Sequence, residues 1–566
     1  MTVSYYGSQP LTKDLFYQQM IDSPPAIIAI DTETIDLKEK LPIGFAIATN
    51  PHEAWWFNVL PERDLEIELL RSIMGNPNIL KVYANVMFDI RVQQLLFPDF
   101  DFDEHNITDI LVKARILGHT HARVTDLAGL VGREVQPAED LLAEYNTKSM
   151  LEVPREAVAS HCATDAMVTL ALDNYFTPQI NQLYSEGLAS DYMEVESKVV
   201  PILVDMSLRG LAVDQDARAR MEVRMETDRD YYKKICEEHD FNPGSGMQSG
   251  YILAKRGNFL PFTKTKKQYK TDEDTLELLD DPLAAVIIGY KKATSILTKY
   301  LYPLRGIDRL YTEYGLDTEV GRTKSSNFNM QNIPGANSLS HMDVRHIFIP
   351  DSGTFTTGDF SQEHLRIIMY MSGDAEMERV YYDDKDDGDI HLSTAKKIGK
   401  PRSVAKAVNF IIPYGRDARV LAQKLKTKDI KWCSQLIDDW MDAYPDAAEW
   451  IVAAEKYGLS HGKALPTLFG RQIAVPEEWR KTRWGKEYLD TKGMARKSVN
   501  YPILGSDGEV MKRALIICAN HNLPLAVTVH DNVTCDGDVK FPISELESIA
   551  AGVKLPFEVE CSERWK

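Results

Sequence analysis

Two short β-rich runs, each leading into an aspartate, constrain this chain more than any other feature. Asp359 stands near the end of TFTTGDF, and Asp531 follows the apolar run of LAVTVHDNVTC. Runs of this length and composition read as strands, and Asp531 with Val533 after it reads as the turn of a hairpin. Carboxylates at strand ends are placed to hold a pair of divalent cations. Between the two runs lies RSVAKAVNFIIPYG, which sets Arg402, Lys406, Phe410 and Tyr414 at steps of four. On a helix that spacing makes one basic and aromatic stripe, suited to a triphosphate and a base. Pro413 should end or kink the helix just before Tyr414. Alone, the stripe reads as a solvated surface face. Beside the two carboxylates it reads as the machinery of nucleotidyl transfer.

At 566 residues the chain exceeds what one core supports and should divide into several domains. No apolar run reaches membrane-spanning length. The start, MTVSYYGSQPLTKDLF, lacks the basic end and apolar stretch of a secretory signal. The expectation is a cytoplasmic protein with no membrane partner. Cys162, Cys236, Cys433, Cys518, Cys535 and Cys561 form no Cys-x-x-Cys pair, so they read as free thiols in a reducing compartment.

The net charge of −19 does not exclude nucleic acid, because affinity depends on local basic surface. Lys264, Lys266, Lys267 and Lys270, interleaved with Tyr269, supply one such stretch. Trp479, Arg480, Lys481, Arg483, Trp484 and Lys486 supply another, with Arg496 and Lys497 beyond. Either stretch alone reads better as a solvated face. The acidic run from Asp383 to Asp389 reads as a solvated loop, not a metal site.

Nearer the start, AIIAIDTET reads as a buried strand over 26–30, followed by Asp31 and Glu33. Their i, i+2 spacing puts both carboxylates on one face of extended chain, where they can share a metal. KVYANVMFDIR brings Asn85, Phe88 and Asp89, and HCATDAMVTLAL puts His161 and Asp165 on one helix face. The four acids resemble the ligand set of DEDD-type 3′–5′ exonucleases, in which two metals activate a water and stabilise the leaving oxygen. His161 stands where proofreading members carry Tyr. It reads either as the group that orients or deprotonates the water or as a helix-packing residue.

From about residue 190 onward the order of motifs resembles family A DNA polymerases, the group of bacterial DNA polymerase I and its phage relatives. EVGRTKSSNFNMQNIP, GDFSQEHLR, GDIHLSTAKKIG, RSVAKAVNFIIPYG, LFGRQIAVPE, RKSVNYPILGSDGEVMKRA and VHD follow in family order. The resemblance implies an α/β multidomain fold. An RNase H-like exonuclease domain (1–188) leads a right hand of thumb (189–305), palm (306–375 and 505–566) and fingers (376–504). It implies two Mg²⁺ per active site, with Mn²⁺ as an alternative, held in the polymerase by Asp359, Asp531 and the main-chain carbonyl of Phe360. The exonuclease ligands would be Asp31, Glu33, Asp89 and Asp165.

Arg402, Lys406 and His391 would bind the phosphates of a deoxynucleoside triphosphate, and Lys406 would also protonate pyrophosphate. Phe410, Tyr414, His364 and Gln362 would complete the nucleotide site. Arg322, Asn329, Gln331, Asn332, Arg496, Asn500 and His530 would touch primer–template DNA. No stretch before the exonuclease motifs reads as a 5′-nuclease. The expectation is therefore a compact replicative enzyme of phage type in an infected bacterial host, its processivity partner unspecified. The rival is a DNA-binding accessory protein with a lapsed polymerase site and a working nuclease.

The chain departs from the family in places. The family Glu that blocks the ribose 2′-OH is replaced by His364, with Glu363 one place earlier. The Glu after the second His-Asp is Asn532, and the Gln before Gly505 is Leu504. These changes leave open drift, lost polymerase activity, or adaptation to DNA in which 2-aminoadenine replaces adenine. If register holds, His364 and not Glu363 faces the incoming sugar.

Overall fold

The structure is a computed structural model that describes residues 3–6, 13–35, 40–59, 64–97, 106–119, 123–188, 191–263, 268–334, 344–382, 388–481 and 485–566. Lys264, Lys266, Lys267, Arg483, Trp484 and the acidic positions 383–387 lie outside them.

The N-terminal part is built on six strands: β1 (Val3–Tyr6), β2 (Ile27–Thr34), β3 (Pro42–Asn50), β4 (Glu53–Asn58), β5 (Leu80–Tyr83) and β6 (Ile107–Asp109), in the order β1-β4-β3-β2-β5-β6. The β2, β5 and β6 strands run parallel, and the other pairings are antiparallel. Central β2 is buried on both faces, which is why its first half is a continuous apolar run. Ile28 and Ile30 enter one core and Ala29 another. On that second side, small residues at Ala29, Ala46, Ala48 and Ala54 accompany the packing of a long helix against β2, β3 and β4.

The strand extends further than the sequence suggests. Asp31 and Glu33 lie within β2, not after it, because pairing with β3 continues through Asp31–Ala46 and Glu33–Gly44. Gly44 is needed there: a Cβ would lie 2.3 Å from the Trp56 ring. Among the helices around this sheet, α1 (Val86–Leu96) and α2 (Arg155–Ser185) carry site residues.

Helix α3 (Tyr192–Arg209) links this unit to the rest, touching α1 on one side and a long C-terminal helix on the other. A hairpin of α4 (Gln215–Glu237) and α5 (Pro282–Ile296) follows. A second sheet is formed by β7 (Phe355–Phe360), β8 (Leu525–Val529), β9 (Asn532–Asp536) and β10 (Phe557–Ser562), all antiparallel, in the order β8-β9-β7-β10. Between β7 and β8 in sequence come α6 (Glu363–Ser372), α7 (Ile390–Ile398), α8 (Arg402–Ile411), α9 (Ala418–Lys424), α10 (Ile430–Ala443), α11 (Pro445–His461) and α12 (Thr491–Asn520). Buried Lys512 of α12 pairs with Glu196 of α3, leaving neither charge unpartnered where water is excluded. No helix among the described residues is long and apolar enough to cross a membrane. All six cysteines are unpaired, five of them buried.

Candidate active sites

The second sheet brings Asp359 and Asp531 together as the two runs suggest. Asp359 is near the end of β7, and His530-Asp531 forms the two-residue turn between β8 and β9, with His530 left-handed at φ 54°. The Phe360 N–H donates to the Asp531 carbonyl at 3.0 Å, which ties the turn to the strand end. The Phe360 ring is anchored against Phe557, centroids 4.9 Å apart.

Asp359 stands directly opposite Asn532 on one side and Glu558 on the other, so all three share a face. Asn532 carries no charge, and its side-chain oxygen is buried without a partner. Glu558 restores a carboxylate from the other flanking strand, a contribution that short-range sequence reading misses. Asp359 keeps a solvent-exposed edge. Even so, partial burial and the charges of Asp531, Glu558 and Glu560 push its carboxyl up to about 7. Asp531 is raised by burial and by Asp507. Acidic oxygens that are costly to ionise side by side suit a divalent cation.

Helix α8 presents Arg402, Lys406 and Phe410 outward while Ala405, Val408 and Ile411 are buried, the amphipathic pattern the spacing predicts. It ends at Ile411, and a single 3₁₀ turn over Ile412–Tyr414 follows, as Pro413 requires. Arg402 is held by Asp389, the N-cap of α7, at 2.8 Å. The Asn409 amide nitrogen, a donor only, meets His391 Nδ1 at 2.8 Å, so that nitrogen accepts and the imidazole proton lies on Nε2. Burial, with Arg402 and Lys406 nearby, pushes His391 down to about 4 despite Asp389, so the ring is neutral at physiological pH. Asn409 itself is fixed by Trp440 Nε1 at 2.7 Å.

A cavity of about 350 Å³ lies between these elements, with Lys406, His391, Phe410, Tyr414, His364, Gln362, Arg322, His530 and Asp531 on its walls. Phe410 and Tyr414 stack at 5.2 Å, and Lys424 Nζ sits 3.2 Å above the Phe410 ring. His364 bonds the Tyr414 hydroxyl through Nδ1 at 3.1 Å and faces Arg322 through Nε2 at 2.8 Å. Glu363 is 2% exposed, and both its carboxylate oxygens lack hydrogen-bond partners. Burial and the charges of Asp507 and Asp531 hold that carboxyl well above its ordinary range, against Arg322.

The residues expected on primer–template divide. Arg322 is turned into this cavity, where it pairs with Asp507. Asn329 caps the turn that follows it, and Gln331 bonds Thr323 at 3.0 Å. Arg496 is exposed, and its side chain packs on Gly415, where φ is +103° and a Cβ would lie 2.5 Å from Arg496 Cγ. Asn500 carries a buried oxygen with no partner.

In the first unit, β2, α1 and α2 converge. Asp31, Glu33 and Cys162 place ligand atoms within 4.8 Å of one another. Asp89 is 2% exposed and accepts from Thr32 Oγ1 at 2.6 Å. His161 Nε2 lies 3.5 Å from Glu33 and 3.9 Å from Asp165. The start of α1 is set by Asp109, which accepts from the N–H groups of Asn85 and Val86 at 3.3 and 2.9 Å. Burial, with Asp89 nearby, pushes Asp31 up to about 8; burial and the neighbouring acids also raise Glu33 and Asp165. Burial lowers His161, which favours the neutral base. Asp165 has one oxygen without a partner. The Cys162 thiol is pushed up by burial and by Asp31, so it stays protonated and donates to Asp31 at 3.0 Å. Clustered hard oxygens fit the divalent cations such nucleases require; the thiol does not.

Comparison with known proteins bears on both parts of the chain. A profile of DNA polymerase family A matches residues 213–559, and one of 3′-5′ exonuclease matches residues 13–181. DNA polymerase I of Chloroflexus aurantiacus is 29% identical, over 86% of this chain and 54% of that one. The thermostable DNA polymerase I of Thermus filiformis is 28% identical, over 77% and 56%. The chain spans about half the length of the curated relatives it matches. Among solved structures, the POL domain of Pol1 from M. smegmatis, in complex with DNA primer-template and dNTP, shares the fold, with a TM-score of 0.74 over 99% of each chain at 20% identity. The chain belongs to DNA polymerase family A and carries a 3′–5′ exonuclease domain ahead of its polymerase domain.

Proposed function

We propose that this chain extends a primer 3′-OH on a DNA template and excises errors from the same end. The observation that carries the reading is one cavity in which Asp531, beside Asp359, faces Lys406 and the Phe410–Tyr414 stack. We assign residues 1–188 to the exonuclease, 189–305 to the thumb, 306–375 and 505–566 to the palm, and 376–504 to the fingers. Asp359, Asp531 and the Phe360 carbonyl would hold two Mg²⁺, and Asp31, Glu33, Asp89 and Asp165 would hold the exonuclease pair. When bound, such ions lower the pKa of the attacking oxygen and stabilise charge on the leaving group.

The remaining work is positioning and electrostatics. Arg402 exchanges Asp389 for the β- and γ-phosphates, a swap of one anion for a more highly charged one. Lys406 binds the same phosphates and delivers a proton to pyrophosphate, while the Nε2 proton of His391 is available to them. Phe410 lies against sugar and base, and Tyr414 covers the template side. His530 borders the primer terminus. Arg496, Asn500, Asn329, Gln331 and Asn332 contact the duplex. Phosphate and sugar contacts of this kind fix position and leave sequence unread.

Primer extension with a labelled primer and Mg²⁺ tests the reading. Extension should be template-dependent, and with nucleotides omitted the same primer should shorten from its 3′ end. A pure preparation that binds primer–template yet adds no nucleotide in Mg²⁺ or Mn²⁺ would leave an accessory nuclease instead.

A further inference from the structure

Asp507 lies in α12 and is 1% exposed. One of its oxygens pairs with Arg322 Nε. The other has no hydrogen-bond partner and stands 3.6 Å from His364 Nε2. Gly508 allows this approach, since a Cβ there would come within 3.1 Å of the Arg322 backbone. Although burial alone would raise it, Arg322 holds the Asp507 carboxyl below its ordinary value.

A guanidinium donates and never accepts. With Arg322 Nη2 at 2.8 Å, His364 Nε2 must therefore accept, and its proton lies on Nδ1. Nδ1–H then donates to the Tyr414 oxygen at 3.1 Å. Asp507, Arg322, His364 and Tyr414 form one chain of contacts, running from the core of α12 to the turn after α8. His364 and Tyr414 line the same cavity as Lys406 and His391, assigned above to the phosphates, and Phe410, assigned to the base, and His364 is bonded to Tyr414 beside that ring. The part of a nucleotide that falls between phosphates and base is the sugar.

We propose that Asp507 is a positioning residue for sugar selection: by fixing Arg322 it sets the tautomer and angle of His364, the ring that meets the nucleotide's 2′ side. Asp507 touches no substrate. Without its charge, Arg322 loses its carboxylate partner and turns toward DNA or nucleotide phosphate, and His364 is free to rotate or take the other tautomer. The idea rests on the cavity being the nucleotide site of a polymerase.

The test is the ratio of kcat/KM for a deoxynucleotide and its ribonucleotide. Asp507→Asn should loosen that ratio about tenfold or more, the worth of one buried charge-assisted contact. The change should appear as a lower KM and a higher kcat for the ribonucleotide, the deoxynucleotide's constants moving less, and single-strand 3′ excision should persist as the measure of folding. His364→Ala should loosen the ratio too, and the double variant no further than the larger single effect, because both act through one ring. An unchanged ratio in Asp507→Asn, or effects that multiply in the double variant, overturns the proposal. Should Asp507→Asn fail to fold, Tyr414→Phe probes the other end of the chain from a partly exposed turn. A loosened ratio there supports the proposal and an unchanged one overturns it. Failure of the parent chain to extend any primer would instead refute the polymerase reading.

Discussion

Removing a charge from the exonuclease site should stabilise the metal-free protein while destroying its activity. Asp89→Asn is the informative change. The side chain is 2% exposed, and an Asn oxygen can still accept from Thr32 Oγ1. Burial, with Asp109 adding to it and Thr32 opposing, pushes the Asp89 carboxyl from 3.8 up to about 8. The folded protein therefore holds this proton up to about pH 8, whereas an unfolded chain releases it near pH 4. Stability from this group is fully present below the unfolded value and is lost as pH rises through the folded one.

A rise from 3.8 to about 8 sets a ceiling of about 6 kcal/mol. Because Asp31 interacts with the same carboxylate, and each change relaxes its neighbours, we expect about 2 kcal/mol, or roughly 5 °C in the melting midpoint of a unit this size. Thermal denaturation in chelator should show the variant equal to the parent near pH 4 and ahead of it by that amount above pH 8. Saturating Mg²⁺ or Mn²⁺ should reverse the order, since binding to the folded form adds RT ln(1 + [M]/Kd) and the variant binds poorly. A variant that is less stable than the parent above pH 8 in chelator, or a difference that ignores pH, would refute the reasoning.

Asp359→Ala or Asp531→Ala should abolish nucleotide addition, by about a thousandfold or more, with primer–template affinity nearly intact; near-normal extension by either removes the metal assignment. Asp31→Ala combined with Glu33→Ala should end 3′–5′ excision and spare extension, checked on a single-stranded 3′ end. Glu363→Gln should keep extension and gain melting temperature increasingly as pH rises, because the buried carboxyl is already held protonated; a variant as inactive as Asp359→Ala would show that Glu363 must ionise. Phe410→Tyr should raise dideoxynucleotide incorporation if the ring faces the sugar, and unchanged selectivity means it does not.

The sequence reveals whatever depends on local periodicity. Strand runs ending near Asp359 and Asp531, the stripe on α8, the break at Pro413 and the shared face of His161 and Asp165 all follow from side chains a few positions apart. What it conceals are partners supplied by remote segments. Asp507 meets Arg322 across 185 positions, Cys162 meets Asp31 across 131, and Thr32 meets Asp89 across 57. Arg322 illustrates the consequence. Taken by itself it is a cation fit for DNA phosphate, and only the packing of α12 turns it into the cavity beside Asp531. Asn409 was hidden for a different reason: it sits on the buried side of α8, opposite the stripe that draws attention, yet it sets which nitrogen of His391 carries the proton.

The two carboxylate sites solve the same electrostatic problem differently. In the exonuclease unit the acids are buried with a thiol and a neutral imidazole, and no Lys or Arg among the described residues pairs with Asp31, Glu33, Asp89 or Asp165. Its charge can be balanced only by protons or by bound cations, so metal affinity and protonation must compete over the range in which these acids titrate. In the polymerase unit, Arg322 lies between Asp507 and His364 on the same cavity wall, and the acid facing solvent, Asp359, is the one free to shed its proton near neutrality. That site can remain folded and partly charged before its ions arrive. A chain built this way should tolerate loss of metal at the Asp359–Asp531 sheet better than at the exonuclease site, so the first pH- and chelator-sensitive step in its unfolding is expected in the exonuclease domain.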